Sequence, residues 1–466
     1  MEHSNPAMPI KPWPDYRAVW RWHFYAGLIC VPFIVWLAIT GSIYLFKPQI
    51  EAWLDAPYDH LVLTGPPASA AAEVNAALAA VPGTTLRAYE LPQAPDAAAR
   101  VILNRQGEAI RVYVHPQTLQ ILKTMPEEGR LMRTIFKLHG ELLIGDTGSV
   151  IVELAASWAI IMIITGLYLW WPRQAQGLGG IVYPRLSNSN NGRIFWRDLH
   201  AVTGFWISCF VLFLLLTGLP WAKFWGGYLK EVRQLTGTAV AQQDWTSGAA
   251  KPEKTAAKAV EHTDHSEHMA MSGWSSSGNA AQDYSAVDRM IATVRPLNLA
   301  PPVLVSPPMK NSTHWTAKSD AQNRPLRVNL VLDEKTGAIL KREDFKDRHP
   351  IDRIVGIGIA AHEGQLFGWP NQLLGVLTAC GLLLLSVSSV ILWWRRRAHG
   401  VLGAPDPGAR SRFSAGLAVI VVLLGIYLPL FAASAIIVKL VEKFALSRIP
   451  AVRDWLGLNN AAQASP

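Results

Sequence analysis

The sequence predicts a mainly α membrane protein with about five transmembrane helices in two tandem two-helix repeats, carrying two small α+β domains outside the membrane. Three observations lead there. Half of the 466 residues are apolar and only 17% are charged, at a mean hydropathy of +0.18, the balance of a chain that alternates between lipid and water. Five apolar stretches reach the ~20 residues that a helix needs to cross the hydrocarbon layer. Anchored residues recur at matching offsets in the two halves of the chain.

The expected spans run from about Phe24 to Phe46, Ser149 to Trp171, Ala201 to Ala222, Gln372 to Trp394 and Leu417 to Val438. The first is too long for a signal-peptide core and no small-residue cleavage site follows it, so it reads as a retained anchor. Residues 1–46 thus form the N-terminal segment and first span, 47–130 a first outer domain, and 131–172 an approach helix with the second span. A loop at 173–198 leads to the third span at 199–222. A second outer domain fills 223–350, and 351–397 holds an approach segment and the fourth span. The loop 398–412, the fifth span at 413–440 and a tail at 441–466 complete the chain.

Short basic segments set the orientation. Lys11, Arg17 and Arg21 precede span one; Arg173, Arg185, Arg193 and Arg197 link spans two and three; Arg395, Arg396, Arg397, Arg410 and Arg412 link spans four and five. All three segments fall on one side, which the positive-inside rule makes cytoplasmic, with the N-terminus there and the two long polar stretches outside. An odd fifth span would leave Lys439, Lys443, Arg448 and Arg453 on the other side. The net charge of +9 is therefore a topology signal, and no motif for nucleic acid accompanies it. Cys30, Cys209 and Cys380 all lie in apolar runs without a CxxC pair, which excludes a disulfide framework and an iron–sulfur cluster.

Gly27, Thr40 and Gly41 follow His23 at +4, +17 and +18, as Gly204, Thr217 and Gly218 follow His200. Gly145, Trp170, Trp171 and Arg173 follow His139 at +6, +31, +32 and +34, as Gly368, Trp393, Trp394 and Arg396 follow His362. Val114–Leu122 aligns with Leu332–Leu340, each a strand, a turn and a strand, with an amphipathic helix upstream near Ala70–Ala80 and Tyr284–Val294. Each repeat thus holds two spans around one small α+β domain, and a pseudo-two-fold axis along the membrane normal relates them.

One histidine in a span is ordinarily a hydrogen-bonding partner of a neighbouring helix. Four at equivalent places argue for a shared task. The first span's helix starts near Asp15 and puts His23 about two turns in, and His200 sits likewise after Asn190–Gly192, so both lie near the inner leaflet. His139 and His362 end short approach segments at the outer face. With ~30 Å of hydrocarbon between the faces, symmetry pairs His23 with His200 and His139 with His362. Structural zinc would need further Cys or carboxylate ligands, whereas haem iron needs two axial imidazoles from opposing helices. The expectation is two haem b groups, non-covalently held because no CxxCH is present, forming an electron path across the bilayer. Gly27 and Gly204 would admit a flat ring or simply allow close helix packing. Arg17, Arg21 and Arg197 inside, and Arg130, Arg133 and Lys137 outside, are either propionate partners or interface anchors.

These residues resemble the PepSY-associated transmembrane family, in the outer modules with a "TGxIL"-type strand at Thr336–Leu340 and in the histidine-bearing spans ending in Trp-Trp-Arg, over about Trp20 to Arg397. The first copy differs in carrying Leu119-Gln120-Ile121 where a glycine is usual. The resemblance implies PepSY-like outer domains and a bacterial inner-membrane reductase that releases iron from siderophores, with the family's histidines falling on His23, His139, His200 and His362. No GxGxxG follows a strand, so electrons would come from a separate donor, a quinol or a cytoplasmic flavoreductase.

The expected function is an inner-membrane di-haem oxidoreductase that passes those electrons to a periplasmic ferric siderophore or other ferric chelate, with no general base or nucleophile required. A siderophore permease would call for interrupted helices and polar mid-span residues, and a PepSY binding or regulatory protein would leave the four histidines dispensable. His262, His265 and His268, with Met269 and Met271, form a tract that reads either as a metal-capturing site or as a solvated linker within 246–281. His314-Trp315 reads as part of a substrate vestibule or as a solvent-facing strand. The paired tryptophans read as an interfacial belt.

Overall fold

The computed structural model describes residues 16–172, 177–185, 192–238, 283–308, 312–405 and 415–458. The His/Met tract, the 246–281 stretch, Lys11, Asp15, Arg173, Arg410 and Arg412 lie outside them. In chain order the helices are α1 (Tyr16–Leu45), α2 (Lys47–Asp59), α3 (Ala70–Ala80), α4 (Leu131–Glu141), α5 (Gly145–Trp170), α6 (Gly192–Gly218), α7 (Lys223–Leu235), α8 (Ala286–Val294), α9 (Pro350–His362), α10 (Trp369–Arg396), α11 (Ala415–Tyr427), α12 (Pro429–Phe444) and α13 (Pro450–Leu456). The strands are β1 (Thr85–Glu90), β2 (Ala99–Arg105), β3 (Glu108–Val114), β4 (Ile121–Pro126), β5 (Val303–Ser306), β6 (His314–Ser319), β7 (Val328–Asp333) and β8 (Ile339–Asp344). Two compact units result: a helical one from Met1–Gly41, Asp146–Leu229 and Val376–Pro466, and a sheet-bearing one from Ser42–Gly145 and Lys230–Gly375.

Among the described residues, four helices are long and apolar enough to cross a membrane: Tyr16–Leu45, Gly145–Trp170, Gly192–Trp221 and Trp369–Arg396. The first and third begin earlier than the apolar stretches alone indicate, because Arg17, Arg21, Arg193 and Arg197 are good helix formers and carry these two helices past their apolar edges.

The expected fifth span differs. It is broken at Leu428, and its two parts, Ala418–Tyr427 and Pro429–Arg448, are bent by 119°. Pro429 is the cause: it lacks an N–H and disfavours helical backbone at the residue before it, and Leu428 accordingly takes φ −121, ψ 74. The junction is sealed by burying Leu428 against Ile160 and Leu219, and Trp158 Nε1 donates to Ser434 Oγ at 3.0 Å. Beyond the bend the chain returns. Arg21 donates to the Pro405 and Gly457 carbonyls, both at 2.8 Å, Tyr25 Oη donates to the Leu456 carbonyl at 2.6 Å, and Leu402 N donates to Trp455 O at 2.9 Å. The tail thus shares an end with Arg21 and the 398–405 loop, which removes the charge conflict of an odd crossing. Topology reporters fused at the N- and C-termini are accordingly expected to respond alike; opposite responses would restore a full fifth crossing.

In the sheet-bearing unit, the two expected domains are one body at the level of the sheet. Among the described residues, eight antiparallel strands run in the order β4-β3-β2-β1-β5-β6-β7-β8. The halves join where β1 pairs with β5, Tyr89 opposite Val305 and Glu90 opposite Leu304. Each half alone would leave a strand edge with unpaired backbone groups, and joining edge to edge satisfies both. Helices α3 and α8 cover one face over a shared core that includes Val74, Leu103, Val112, Val287, Met290, Trp315 and Leu330. On the other face, α2 meets the first half through a buried polar layer. Tyr113 Oη donates to Asp55 Oδ1 at 2.9 Å, and Arg100 pairs with Asp59 Oδ1.

The matched strand–turn–strand segments fold alike despite Leu119. Asp333 N bonds Ala338 O at 2.9 Å and Gly337 N bonds Asp333 O at 2.8 Å; His115 N bonds Gln120 O at 2.9 Å and Leu119 N bonds His115 O at 3.1 Å. Asp333 Oδ1 accepts from the Lys335 and Thr336 amides, and His115 Nδ1 accepts from the Gln117 and Thr118 amides. Gly337 sits at φ 74 and Leu119 at φ 59, so the leucine tolerates a left-handed backbone and its side chain packs on the core.

Candidate functional site

The four histidines form two facing couples. In the helical unit, His23 on α1 and His200 on α6 have ring centroids 6.5 Å apart and planes at 82°. In the sheet-bearing unit, His139 in the last turn of α4 and His362 in the last turn of α9 stand 6.5 Å apart at 83°. A metal–imidazole bond of about 2.0–2.1 Å, plus about 1.1 Å from nitrogen to ring centre, doubled, gives about 6.3 Å for two imidazoles on opposite sides of one metal ion. Both couples stand at this separation. Among the described residues no group of three or more His, Cys, Asp or Glu side chains could hold a metal ion. Each couple thus offers two imidazoles among the described residues, a set that would fit a metal whose other positions a macrocycle fills better than it would fit structural zinc.

What orients the rings in the helical unit is repeated as well. His23 Nδ1 lies 3.0 Å from Met162 O and 3.1 Å from Thr165 Oγ1. His200 Nδ1 lies 3.0 Å from Ser388 Oγ, and the Leu385 backbone also hydrogen-bonds this histidine. Thr165 and Ser388 each stand 26 residues after His139 and His362, and Met162 and Leu385 stand 23 after them. A hydroxyl thus engages Nδ1 in each case, joined at His23 by a carbonyl, and Nε2 would be the nitrogen offered to a metal. Sequence reasoning missed these partners, although the hydroxyl at +26 in both halves was a readable signal. It also missed Gly166, where a Cβ would sit 3.0 Å from His23 Cε1.

The flanking glycines have several uses. A Cβ on Gly27 would meet Met162 Sδ at 3.8 Å and one on Gly204 would meet Leu385 Cδ2 at 3.7 Å, so both serve close helix packing. Gly145 (φ 61) and Gly368 (φ 65), six residues beyond the second couple, take left-handed backbone where the chain turns from α4 into α5 and from α9 into α10.

Most of the cations proposed as propionate partners have other contacts. Arg21 holds two carbonyls, and Arg197 joins Arg185 on the buried Asp198. Arg130 pairs with Glu51 and Glu127, while Arg133 and Lys137 share Glu128. His314 opens β6 beside the buried Trp315, which belongs to the sheet core. Trp170 Nε1 donates to Ile181 O at 3.0 Å and Trp393 Nε1 to Leu402 O at 2.8 Å, tying each loop to the helix it leaves, while Trp171 and Trp394 are exposed.

The sequence model of the PepSY-associated TM region matches residues 20–396, a stretch that includes all four histidines. No curated protein matches the chain.

Proposed function

Because the chain belongs to the PepSY-associated transmembrane family, we propose that it is a multi-pass di-haem oxidoreductase of a bacterial inner membrane. On this reading it takes electrons from a separate donor, a quinol or a cytoplasmic flavoreductase, on the side of its basic loops. It passes them to a ferric siderophore or other ferric chelate in the periplasm. The observation that carries the reading is the twofold recurrence of two imidazoles 6.5 Å apart on opposing helices.

His23 and His200 would hold one haem b, and His139 and His362 the other. When bound, haem iron supplies one-electron chemistry at a potential set by its ligands and burial. The chain's own residues do the rest. Thr165, Ser388 and the Met162 and Leu385 backbones fix the ring orientation of the first couple, and the apolar faces of α1, α5, α6 and α10 keep water from it. The matched offsets, the matched turns and the matched Nδ1 partners support an internal duplication, with PepSY-like modules fused into one sheet. The wide separation of spans by polar sequence supports an extracytoplasmic position for that sheet.

Purified protein is expected to show a Soret band that shifts on reduction. Vesicles loaded with reductant are expected to reduce a ferric chelate added outside, read as Fe(II) capture by a colorimetric chelator. A colourless, correctly folded preparation would leave the binding or regulatory reading instead.

A further inference from the structure

The helices that carry His139 and His362 are each held at the end remote from the histidine. Arg130, the residue that opens α4, places Nη2 2.9 Å from Glu51 on α2 and Nη1 2.9 Å from Glu127. Asp352, in the first turn of α9, receives both terminal nitrogens of Arg233 on α7, at 2.7 and 3.1 Å. Arg233 is 1% exposed and Asp352 8%. The polarity is reversed between the two: in the first half the histidine helix brings the cation, in the second the anion. Each anchor ties the helix that ends in a histidine to the helix that follows the preceding span, α2 after α1 and α7 after α6.

We propose that these two ion pairs of opposite polarity, Glu51–Arg130 and Arg233–Asp352, are positioning devices that set the gap between His139 and His362. The inference rests on the haem reading above and adds to it the residues that keep the second couple at ligating distance. The argument is one of levers. At 1.5 Å per residue, Arg130 lies about 13 Å from His139 and Asp352 about 15 Å from His362 along their helices. A tilt of about 4° at such a length moves the ring by ~1 Å, twice the tolerance of ~0.5 Å that a site of fixed geometry allows. The histidines end their helices, so a fixed helix start is what holds the ring end still. Further contacts stiffen both anchors. Arg111 grips Glu127 at 2.6 Å and reaches Glu90 on β1 at 2.6 Å, binding the α4 anchor to the sheet. Arg233 also donates to the Thr238 carbonyl at 2.7 and 3.1 Å, locking the end of α7. The opposite polarities also keep the anchors from exchanging partners, since neither Glu51 with Asp352 nor Arg130 with Arg233 can pair.

The test uses the full chain in two measurements. Amide hydrogen exchange is compared for the unaltered protein, Glu51→Gln, Arg233→Met and the swapped pair Arg233→Asp with Asp352→Arg. Arg233→Met is expected to speed exchange of the α9 amides by roughly tenfold or more, and Glu51→Gln that of the α4 amides by less, because its pair is partly exposed. The swapped pair is expected to recover part of the α9 protection. The second measurement places the single substitutions in a His23→Ala background, so that only the His139/His362 site reports, and reads the low-spin fraction of the haem. That fraction is expected to fall in both. Faster exchange with an unchanged low-spin fraction would reduce the ties to ordinary structural contacts and overturn the proposal, as would unchanged exchange. Should Arg233→Met fail to fold, Glu51→Gln decides by the same two readings. A colourless unaltered chain sinks the haem reading and this proposal with it, a result distinct from faster exchange with an unchanged low-spin fraction, which overturns the proposal alone.

Discussion

His23→Ala protein is expected to retain about half the Soret absorbance of the unaltered chain, one haem where there were two, with the remaining haem still low-spin. The expectation follows from the ligand count. Among the described residues no third His, Cys, Asp or Glu side chain is grouped with either couple, so removing one imidazole would leave a single ligand to hold that haem, and it would be held weakly. Gly166→Val separates the ring's position from its presence. A side chain there would press the His23 ring at Cε1, 3.0 Å away, and at Nδ1, 3.6 Å away. The ring cannot retreat without giving up Met162 O and Thr165 Oγ1, so Gly166→Val should approach the His23→Ala result while keeping all four histidines. Gly27→Ala is the control: its Cβ meets only Met162 Sδ at 3.8 Å, an ordinary contact, and both haems should remain. Haem content per chain, measured after gel filtration, checks all three. Full haem occupancy in His23→Ala would remove this histidine from the site.

The couples were legible because the sequence repeats at fixed offsets. Four histidines at matched places leave few ways to pair across a bilayer, and the strand–turn–strand segments announce themselves by alternation around a turn. Other features depend on contacts that no local pattern encodes. Tyr89 and Val305 are more than two hundred residues apart in the chain, yet their two-residue pairing turns two domains into one sheet. The Arg233–Asp352 pair joins elements on either side of the second polar stretch; read locally, each is an unremarkable charge on an amphipathic helix. Leu119 was legible as a departure, but not that His115 would take over the acceptor role of Asp333. Leu428 shows the reverse case. Pro429 was visible in the sequence, and hydropathy summed across it still reads as one span, because a window average is blind to a missing N–H.

Stability of the sheet-bearing unit is expected to fall as pH rises from about 4.5 to about 7, through Glu73. This carboxyl lies in the core under α3, 4% exposed, and its Oε2 accepts from Tyr89 Oη at 2.7 Å. Burial pushes its pKa from 4.5 up to about 7, and Asp288 on α8 adds to the rise; the Tyr89 hydrogen bond and Arg295 only partly oppose it. The sign follows from proton counting. Between the two values the folded chain holds a proton that the unfolded chain has released, so raising the pH favours the unfolded state, and the loss is complete above about 7. The shift corresponds to about 3 kcal/mol at most, a sizeable share of a typical domain's net stability. Glu73→Gln keeps an oxygen for the tyrosine and removes the ionisation. The variant should match the unaltered chain near pH 4.5 and exceed it by about 2–3 kcal/mol at pH 8. Urea midpoints of the sheet-bearing unit, followed by pulse proteolysis of the full chain at the two pH values, measure the difference. Taking variant minus unaltered cancels other titrating groups, Glu127 among them: burial alone would raise that carboxyl, but Arg111 and Arg130 hold it down to about 2, so it stays ionised across this range. Equal midpoints at pH 8 would mean that Glu73 ionises in the folded core without cost.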